Sequence, residues 1–188
     1  MIWRLRRIGL VGAMILAASL PVQALEVGAR VPEFRGSTLD GSGFSLDESR
    51  GRNLAVAVIF ISTVCPYSNY FNGRMKELSA EFRKRGVVLI GINSNASETA
   101  DEARRHARKN GHTFPILKDS DNRIADLLGA RRTPEVFVVD REGRLRYRGR
   151  IESKIGTPDL KNALDALLSG KPVKPTETKA FGCAIQRS

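Results

Sequence analysis

The sequence predicts an α/β fold with a central mixed β-sheet flanked by helices and an N-terminal hairpin. Three observations carry this expectation. Residues 54–61 (LAVAVIFI) form an unbroken apolar run rich in β-branched side chains. The run is too short for a typical helix and apolar on both faces, which is the pattern of a central parallel strand. Residues 87–92 (VVLIGI) repeat it, after a stretch in which Tyr67, Phe71, Met75, Leu78 and Phe82 recur at helical spacing. Strand, helix and strand of this length make a βαβ unit with a right-handed crossover. Finally, residues 135–140 (EVFVVD) and 144–150 are joined by Arg141-Glu142-Gly143, a turn that makes the second segment an antiparallel partner.

The other elements follow in chain order. Residues 28–51 are rich in Gly, Ser and Asp, with short β-like pieces around Glu33-Phe34-Arg35 and Gly43-Phe44-Ser45, and read as an edge hairpin. One helix is expected over 67–85, closed by Gly86. A thinner helix is expected over 97–110, with Ala100, Ala103 and Ala107 inward. Residues 114–117 read as a short strand, and 121–128 as a short helix with Asp121 as its cap and Gly129 after it. Thr157-Pro158-Asp159 is a helix start, with Leu160, Leu164, Leu167 and Leu168 on the buried face and Gly170 at the end. Residues 171–188 form a polar, proline-containing tail that carries Cys183. No internal repeat or low-complexity segment interrupts this order.

The chain has 188 residues, which suits one domain. Its beginning is a separate matter. Arg4, Arg6 and Arg7 precede an uncharged apolar stretch over 8–20, and Val22-Gln23-Ala24 places small residues where a signal peptidase cuts. The expected organisation is a cleavable signal peptide over 1–24, a domain over 25–170 and a tail over 171–188. A membrane anchor is the alternative, but spanning takes roughly 20 apolar residues and this run is shorter. The expected location is periplasmic or secreted, with no integral membrane segment after cleavage. The formal net charge is +11. Its basic residues are scattered, as at Arg83-Lys84-Arg85, Arg104-Arg105 and Arg131-Arg132, so a solvated basic surface is expected and nucleic acid is not an expected partner.

Both cysteines, Cys65 and Cys183, lie beyond the leader, and export would put them where disulfides persist. Two cysteines in a domain of this size are either one structural bridge or a working pair. No Cys/His/Asp cluster has metal-ligand spacing, and neither a metal nor another cofactor is expected. His106 and His112 lie on or just after a charged helix and are expected to be solvated. Asn95-Ala96-Ser97 matches a glycosylation sequon and reads as a chance occurrence.

The chemistry centres on STVCPYSNY, residues 62–70. Cys65 falls at the carboxyl end of the first central strand, the edge at which open α/β sheets place their ligands. The helix that follows offers unpaired N–H groups and a partial positive charge of about half a unit. A thiolate is stabilised there, so the pKa of Cys65 is expected below the free value of about 8.5. Pro66 suits the first helical position, and Ser68 is within reach of the sulfur. An inert core cysteine is the alternative, against which the strand-end position argues. Thr133-Pro134, directly before a strand, is either a cis bond in a turn or a trans-proline opening an edge strand.

The central strand, Cys65-Pro66, the long helix, Thr133-Pro134, VFVVDREGRLRYRG and the closing helix together resemble the thioredoxin superfamily. Within it they are most similar to the alkyl hydroperoxide reductase/thiol-specific antioxidant (redoxin, peroxiredoxin-like) family. The resemblance covers residues 27–169; VGARVPEF and LDGSGFSLDESRG look like that family's N-terminal hairpin, and FGCAIQ resembles the Gly-Cys end of a redoxin-like subgroup. It implies a thioredoxin-like fold in which a cis-proline lies against the reactive cysteine and neighbouring backbone holds the substrate chain. Thr133 and Pro134 would then face Cys65. The sequence departs from the family in places. Val64 and Ser68 stand where thioredoxins have Trp and the second Cys. Val58, Ser62 and Pro134 stand where peroxiredoxins have Pro, Thr and the peroxide-polarising Arg; Ser62 still offers a hydroxyl.

The expected function is an exported thiol oxidoreductase with peroxiredoxin-like antioxidant activity. Cys65 is the expected nucleophile, Cys183 the resolving cysteine, and an external dithiol protein the reductant. Ser62, Pro66, Ser68, Thr133 and Pro134 are expected to position the substrate. Two alternatives stand beside it: a thiol-disulfide oxidoreductase acting on protein disulfides, and a non-catalytic binding module. A permanent Cys65–Cys183 bridge, worth about 5 kcal/mol of loop-closure entropy, is the structural alternative to a redox-active pair.

Overall fold

The structure, a computed structural model, describes residues 25–187. The expected signal peptide, residues 1–24, lies outside the described residues. No helix among the described residues is long and apolar enough to cross a membrane. The elements run β1 (Arg35–Ser37), β2 (Gly43–Ser45), α1 (Leu46–Arg52), β3 (Ala55–Phe60), α2 (Pro66–Tyr70), α3 (Asn72–Arg83), β4 (Val87–Asn93), α4 (Ala100–Asn110) and β5 (Ile116–Lys118). They continue with α5 (Arg123–Leu128), β6 (Arg132–Thr133), β7 (Glu135–Asp140), β8 (Leu145–Gly149), α6 (Asp159–Leu168) and β9 (Cys183–Ala184).

The central sheet has the order β5-β4-β3-β7-β8. β3, β4 and β5 are parallel, β7 runs antiparallel to β3, and β8 antiparallel to β7. The sheet is therefore mixed, as its sequence predicts. Strand periodicity sends alternate side chains to opposite faces. Ala55, Ala57 and Ile59 of β3 pack with Met75, Leu78 and Phe82 of α3 and with Leu160, Ala163 and Leu164 of α6. Val56, Val58 and Phe60 face the other way, toward Phe34, Leu46 of α1 and Ile124, Ala125 and Leu128 of α5. Helices cover both faces, which is why residues 54–61 contain no polar residue. β1 and β2 form the expected N-terminal hairpin, antiparallel, with Arg35 opposite Ser45.

Four details differ from the sequence reading. The sequence shows no helix at 46–52, yet α1 forms there: the Ser45 side chain caps it by accepting from Glu48 N, and Leu46 alone anchors it in the core. The helix expected over 67–85 is two helices. Phe71 leaves helical geometry at φ −91°, ψ 4° and turns inward, while Tyr67 and Tyr70 stay exposed. Tyr67 is thus no part of the buried stripe. α4 starts after Thr99, whose capping box with Glu102 holds its first turn; Glu98 is drawn away into a buried network. α5 is held at its start by Asp119, which accepts from Ile124 N at 3.1 Å and Ala125 N at 3.0 Å, instead of by Asp121.

After α6 the tail does not hang free. Val173 is buried in the core, Arg148 N donates to Thr176 O, and Thr178 N to Arg148 O. The tail thereby covers the outer edge of β8, which would otherwise present unpaired backbone groups. It then returns to the end of the sheet where β3 finishes, and β9 pairs antiparallel with β6.

Candidate functional site

Cys65 is the N-cap residue of α2, one turn beyond the buried end of β3, and Pro66 occupies the first helical turn. The Ser68 backbone N–H points at the Cys65 sulfur at 3.5 Å. The Ser68 hydroxyl instead accepts from Ser62 N at 3.1 Å. The contact at the sulfur is thus made by the helix N-terminus and not by the serine side chain. Ser62 also sits behind the cysteine: its Oγ accepts from Cys65 N at 3.0 Å and from Val64 N at 3.2 Å.

The Thr133–Pro134 bond is cis, and the Thr133 carbonyl accepts from the Cys65 thiol at 3.1 Å. On the other side of Thr133 lies the tail. In the β6–β9 ladder Arg132 is opposite Ala184 and Thr133 is opposite Cys183. One residue therefore touches both cysteines, Cys65 through its carbonyl and Cys183 through strand pairing. Both are free thiols, Cys65 buried and Cys183 half-buried, and each perturbs the other's titration.

The two thiols titrate in opposite directions. Burial pushes Cys65 up, but hydrogen bonds from the Cys183 thiol and the Ser68 N–H, with smaller contributions from Thr133 and the Cys183 backbone, bring it below the ordinary thiol value. Cys183 is pushed up to about 11 by its hydrogen bond to Cys65, then by burial and by repulsion from the Cys65 charge. The same contacts favour ionisation of Cys65 and oppose that of Cys183.

Behind the loop lies a carboxylate that the sequence reading missed. Glu98 is only 3% exposed. It accepts from Ser62 Oγ at 2.6 Å, Thr63 N at 2.6 Å, Asn93 Nδ2 at 2.7 Å and from Asn95 Nδ2. Burial pushes its pKa up, but the bonds from Ser62, Thr63 and Asn95 more than offset this, and the net shift is downward. Lys118 supplies a cation to the same cluster, donating to Asn93 Oδ1 at 2.9 Å and Asn95 O at 2.7 Å. The cluster also reaches the tail, because Gln186 N donates to Asn95 Oδ1 at 2.9 Å and Ala96 N to Gln186 O at 3.0 Å. One signal for Glu98 was available: residues 93–98 (NSNASE) follow the second parallel strand, so they must lie at the same sheet edge as Cys65.

The histidines are not simply solvated. His106 Nε2 is 2.7 Å from Asn69 Oδ1, and Asn69 Nδ2 donates to Thr63 O in the loop before Cys65. His112 stacks on Phe114, with ring centroids 4.8 Å apart. Burial, then the neighbouring His106, push its pKa down to about 4. The charged residues of α4 masked this packing in the sequence. No group of three or more His, Cys, Asp or Glu residues among those described is placed to hold a metal ion.

A reactive-type cysteine capping a helix at a strand end, opposite a cis-proline turn, is the arrangement that the family resemblance implies. The sequence pattern of the AhpC/TSA family matches residues 27–148. The chain belongs to the AhpC/TSA family. Among curated proteins, this family member is 27% identical to the thiol-disulfide oxidoreductase ResA of Geobacillus thermodenitrificans, over 77% of this chain and 79% of that protein. It is 30% identical to the thiol:disulfide interchange protein DsbE of Vibrio cholerae, over 68% of this chain and 66% of that one. Among solved structures, a hypothetical protein from Sinorhizobium meliloti superposes with a TM-score of 0.81 at 30% identity, covering 88% of this chain and 97% of that one. The AhpC/TSA chain thus has a thioredoxin-like fold and is an oxidoreductase.

Proposed function

We propose that the protein is an exported thiol-disulfide oxidoreductase that acts on protein disulfides, with Cys65 as nucleophile and Cys183 as resolving cysteine. The observation that carries this is the pairing of Thr133 with Cys183 while the Thr133 carbonyl accepts from Cys65. The Cys65 thiolate attacks one sulfur of the substrate disulfide, and the other sulfur leaves as a thiolate. Cys183 then loses its proton to solvent and attacks Cys65 Sγ, releasing the second substrate sulfur and leaving Cys65–Cys183. An external dithiol protein restores the pair. Its attack falls on Cys183, the more exposed of the two, and expels Cys65, whose lower pKa makes it the better leaving group. Such a bridge opens readily, which favours a redox-active pair over a permanent one.

Two observations favour a disulfide over a peroxide as substrate. The named oxidoreductase relatives, ResA and DsbE, are described as acting on thiols and disulfides. In addition, the single Ser62 hydroxyl proton goes to Glu98, so it is not free for a peroxide oxygen, and Ser62 braces the Cys65 loop instead of positioning a substrate as the sequence led one to expect.

The test offers the reduced protein, in separate reactions, one equivalent of a disulfide-bonded protein and one of hydrogen peroxide. Acid quenching and non-reducing mass spectrometry then follow the cysteines. The expected result is a Cys65–Cys183 link within one chain, formed faster with the protein disulfide. Peroxide consumed far faster than by a free thiol, with no disulfide exchange, would overturn the proposal in favour of the peroxidase.

A further inference from the structure

The surface around the docked tail is basic, and its cations have no internal partners. Arg132 pairs with Ala184 across the β6–β9 ladder and donates from Nη1 to Gly182 O at 2.9 Å. Arg131 O accepts from Ile185 N at 3.0 Å. The two arginines thus contact the tail on both sides of Cys183. Lys179 stands on the same tail, and Lys154 Nζ lies 5.9 Å from the centre of the Phe181 ring. All four side chains are exposed, and none has a carboxylate within ion-pair distance among the described residues. The neighbouring carboxylates are engaged elsewhere. Glu135 accepts from Arg131 N at 2.8 Å and from Arg132 N at 3.1 Å. Glu177 pairs with Arg148 at 3.2 Å, and Glu152 with Arg74 at 3.6 Å. A cleft of about 350 Å³ opens between Arg131, Arg132 and Lys179. Tyr67, whose ring meets Phe181 edge-on, is exposed, and so is Val64.

We infer that this surface docks the external dithiol protein, and that this partner is acidic around its reactive thiols. On the disulfide-exchange reading above, on which this rests, the dithiol attacks Cys183, so the surroundings of Cys183 are what the partner meets. The attacking sulfur arrives as a thiolate, and a guanidinium on each side of Cys183 favours an anion there. Acidic side chains of the partner find four cations with no carboxylate to displace, so docking makes ion pairs without breaking any. Val64 and Tyr67 add apolar surface that a free small anion would leave uncovered, which makes the occupant a protein. In the reaction, the partner's thiolate bonds to Cys183 Sγ as the Cys65–Cys183 bond breaks, and Cys65 leaves as a thiolate. The partner's second thiol, once ionised, attacks the partner's first sulfur and expels Cys183. Two electrons pass from the partner, which becomes a disulfide, to the cysteine pair, and protons exchange with solvent.

The test uses the full chain oxidised to the Cys65–Cys183 bridge. Two end-blocked dithiol peptides, EEGCGPCGEE and KKGCGPCGKK, serve as reductants, with dithiothreitol as the uncharged reference. Acid quenching, alkylation and mass give the rate at which the bridge opens. Each reductant is compared across protein variants, which cancels the difference between the peptides' own thiols. Arg131→Ser with Lys179→Ser should slow the acidic peptide by about fivefold or more at about 0.1 M salt, where charges are felt over about 10 Å. It should not slow the basic peptide, and at about 1 M salt the effect should vanish. Neither side chain holds a hydrogen bond among the described residues, so the tail stays docked in this variant. Arg83→Ser with Lys84→Ser removes the same charge at the far end of α3 and should leave all rates nearly unchanged. Equal slowing by the two double variants, an acidic peptide indifferent to Arg131→Ser with Lys179→Ser, or dithiothreitol slowed alongside it each overturns the inference. A different occupant would show in the reduced chain offered the peptide EEGCGEE joined through its cysteine to 5-thio-2-nitrobenzoate. If the same variant slows that reaction and not the opening of the bridge, the surface receives substrate, and the inference is again overturned. Dithiothreitol separates the two levels. If it opens the bridge while the acidic peptide shows no dependence, only the docking surface is wrong; a bridge that resists dithiothreitol is permanent, and the disulfide-exchange reading falls as well.

Discussion

Cys65 and Cys183 share one neighbour, Thr133, yet they are held by different kinds of structure. Cys65 follows a strand whose six residues are all fully buried, and its loop is tied from behind by Ser62 and Glu98. Cys183 lies on a two-residue strand near the end of a tail, kept in place by hydrogen bonds at Arg131, Arg132, Asn95 and Ser97, by Arg187 on Asp126 and on Ala130 O, and by one buried side chain beside it, Ile185. Cys65 is therefore held as part of the core, while Cys183 sits on a segment that can detach at a modest local cost. The proposed relay of sulfurs needs this inequality, since one sulfur must stay put while others come and go.

The largest expected effect comes from breaking the pair itself. Cys65→Ser should reduce disulfide-exchange turnover to background. Cys183→Ser should leave the first exchange intact and stop turnover, so that a mixed disulfide between Cys65 and substrate accumulates on non-reducing gels. Equal loss in both variants without an accumulated mixed disulfide would remove Cys183 from the relay.

Next comes the rigid side. Glu98→Gln puts an amide nitrogen among groups that all donate, and should cost about 2–3 kcal/mol of folding stability, the scale of buried charge-assisted hydrogen bonds left unmade. Urea unfolding reads this directly. The wild-type carboxyl has a depressed pKa, so its contribution is present above the unfolded carboxyl value and is lost as pH falls through the folded one. The variant should lack that acid-side loss. A variant as stable as wild type at pH 7 would mean that the network does not brace the loop.

The movable side should respond differently. Ile185→Ala removes about 2 kcal/mol of buried contact, but from a segment that can detach alone. Cys183 alkylation should accelerate by about tenfold or more, at roughly 1.4 kcal/mol per decade, while the main unfolding transition hardly moves. A fall in melting temperature with unchanged Cys183 labelling would show that the tail and the core unfold together, and the contrast drawn above would be lost.

The same contrast explains what could be read from the sequence. The buried strands were legible because burial on both faces writes continuous apolarity into a short run. The place of Cys65 was legible because the end of such a strand is a fixed edge of the sheet. Glu98 was not, since a carboxylate in a polar loop looks solvated until Ser62, Asn93 and Asn95 converge on it from two strand ends. That the tail returns to Cys65 was expected of a resolving Cys183, but the strand that docks it was invisible for a related reason. A two-residue strand has no period, and its partner at Arg132–Thr133 is some fifty positions away. The break at Phe71 hid because an inward turn at one residue preserves helical spacing on either side. Local pattern thus reveals the scaffold, and long-range polar convergence builds the site.

The smallest effect lies away from both cysteines and checks that acid sensitivity is a property of the whole fold. His112 has its pKa pushed down to about 4 from an ordinary 6.5, so the folded protein favours the neutral ring. Above pH 6.5 the ring is neutral in both states and costs nothing. Between 6.5 and 4 the unfolded chain takes up a proton that the folded one refuses, and stability declines across that window. Because the ring is only partly shielded from solvent, the loss is about 1–2 kcal/mol instead of the full linkage value. His112→Phe keeps a ring to stack on Phe114 and has nothing to protonate, so its stability advantage over wild type should grow as pH falls from 6.5 to 4 in matched urea titrations. Cys183 labelling relative to global unfolding should be the same in both proteins, because His112 contacts neither β6 nor the tail. If the two urea series run parallel, His112 is no acid trigger, and the loss of stability at low pH belongs to the carboxylates, with Glu98 first among them.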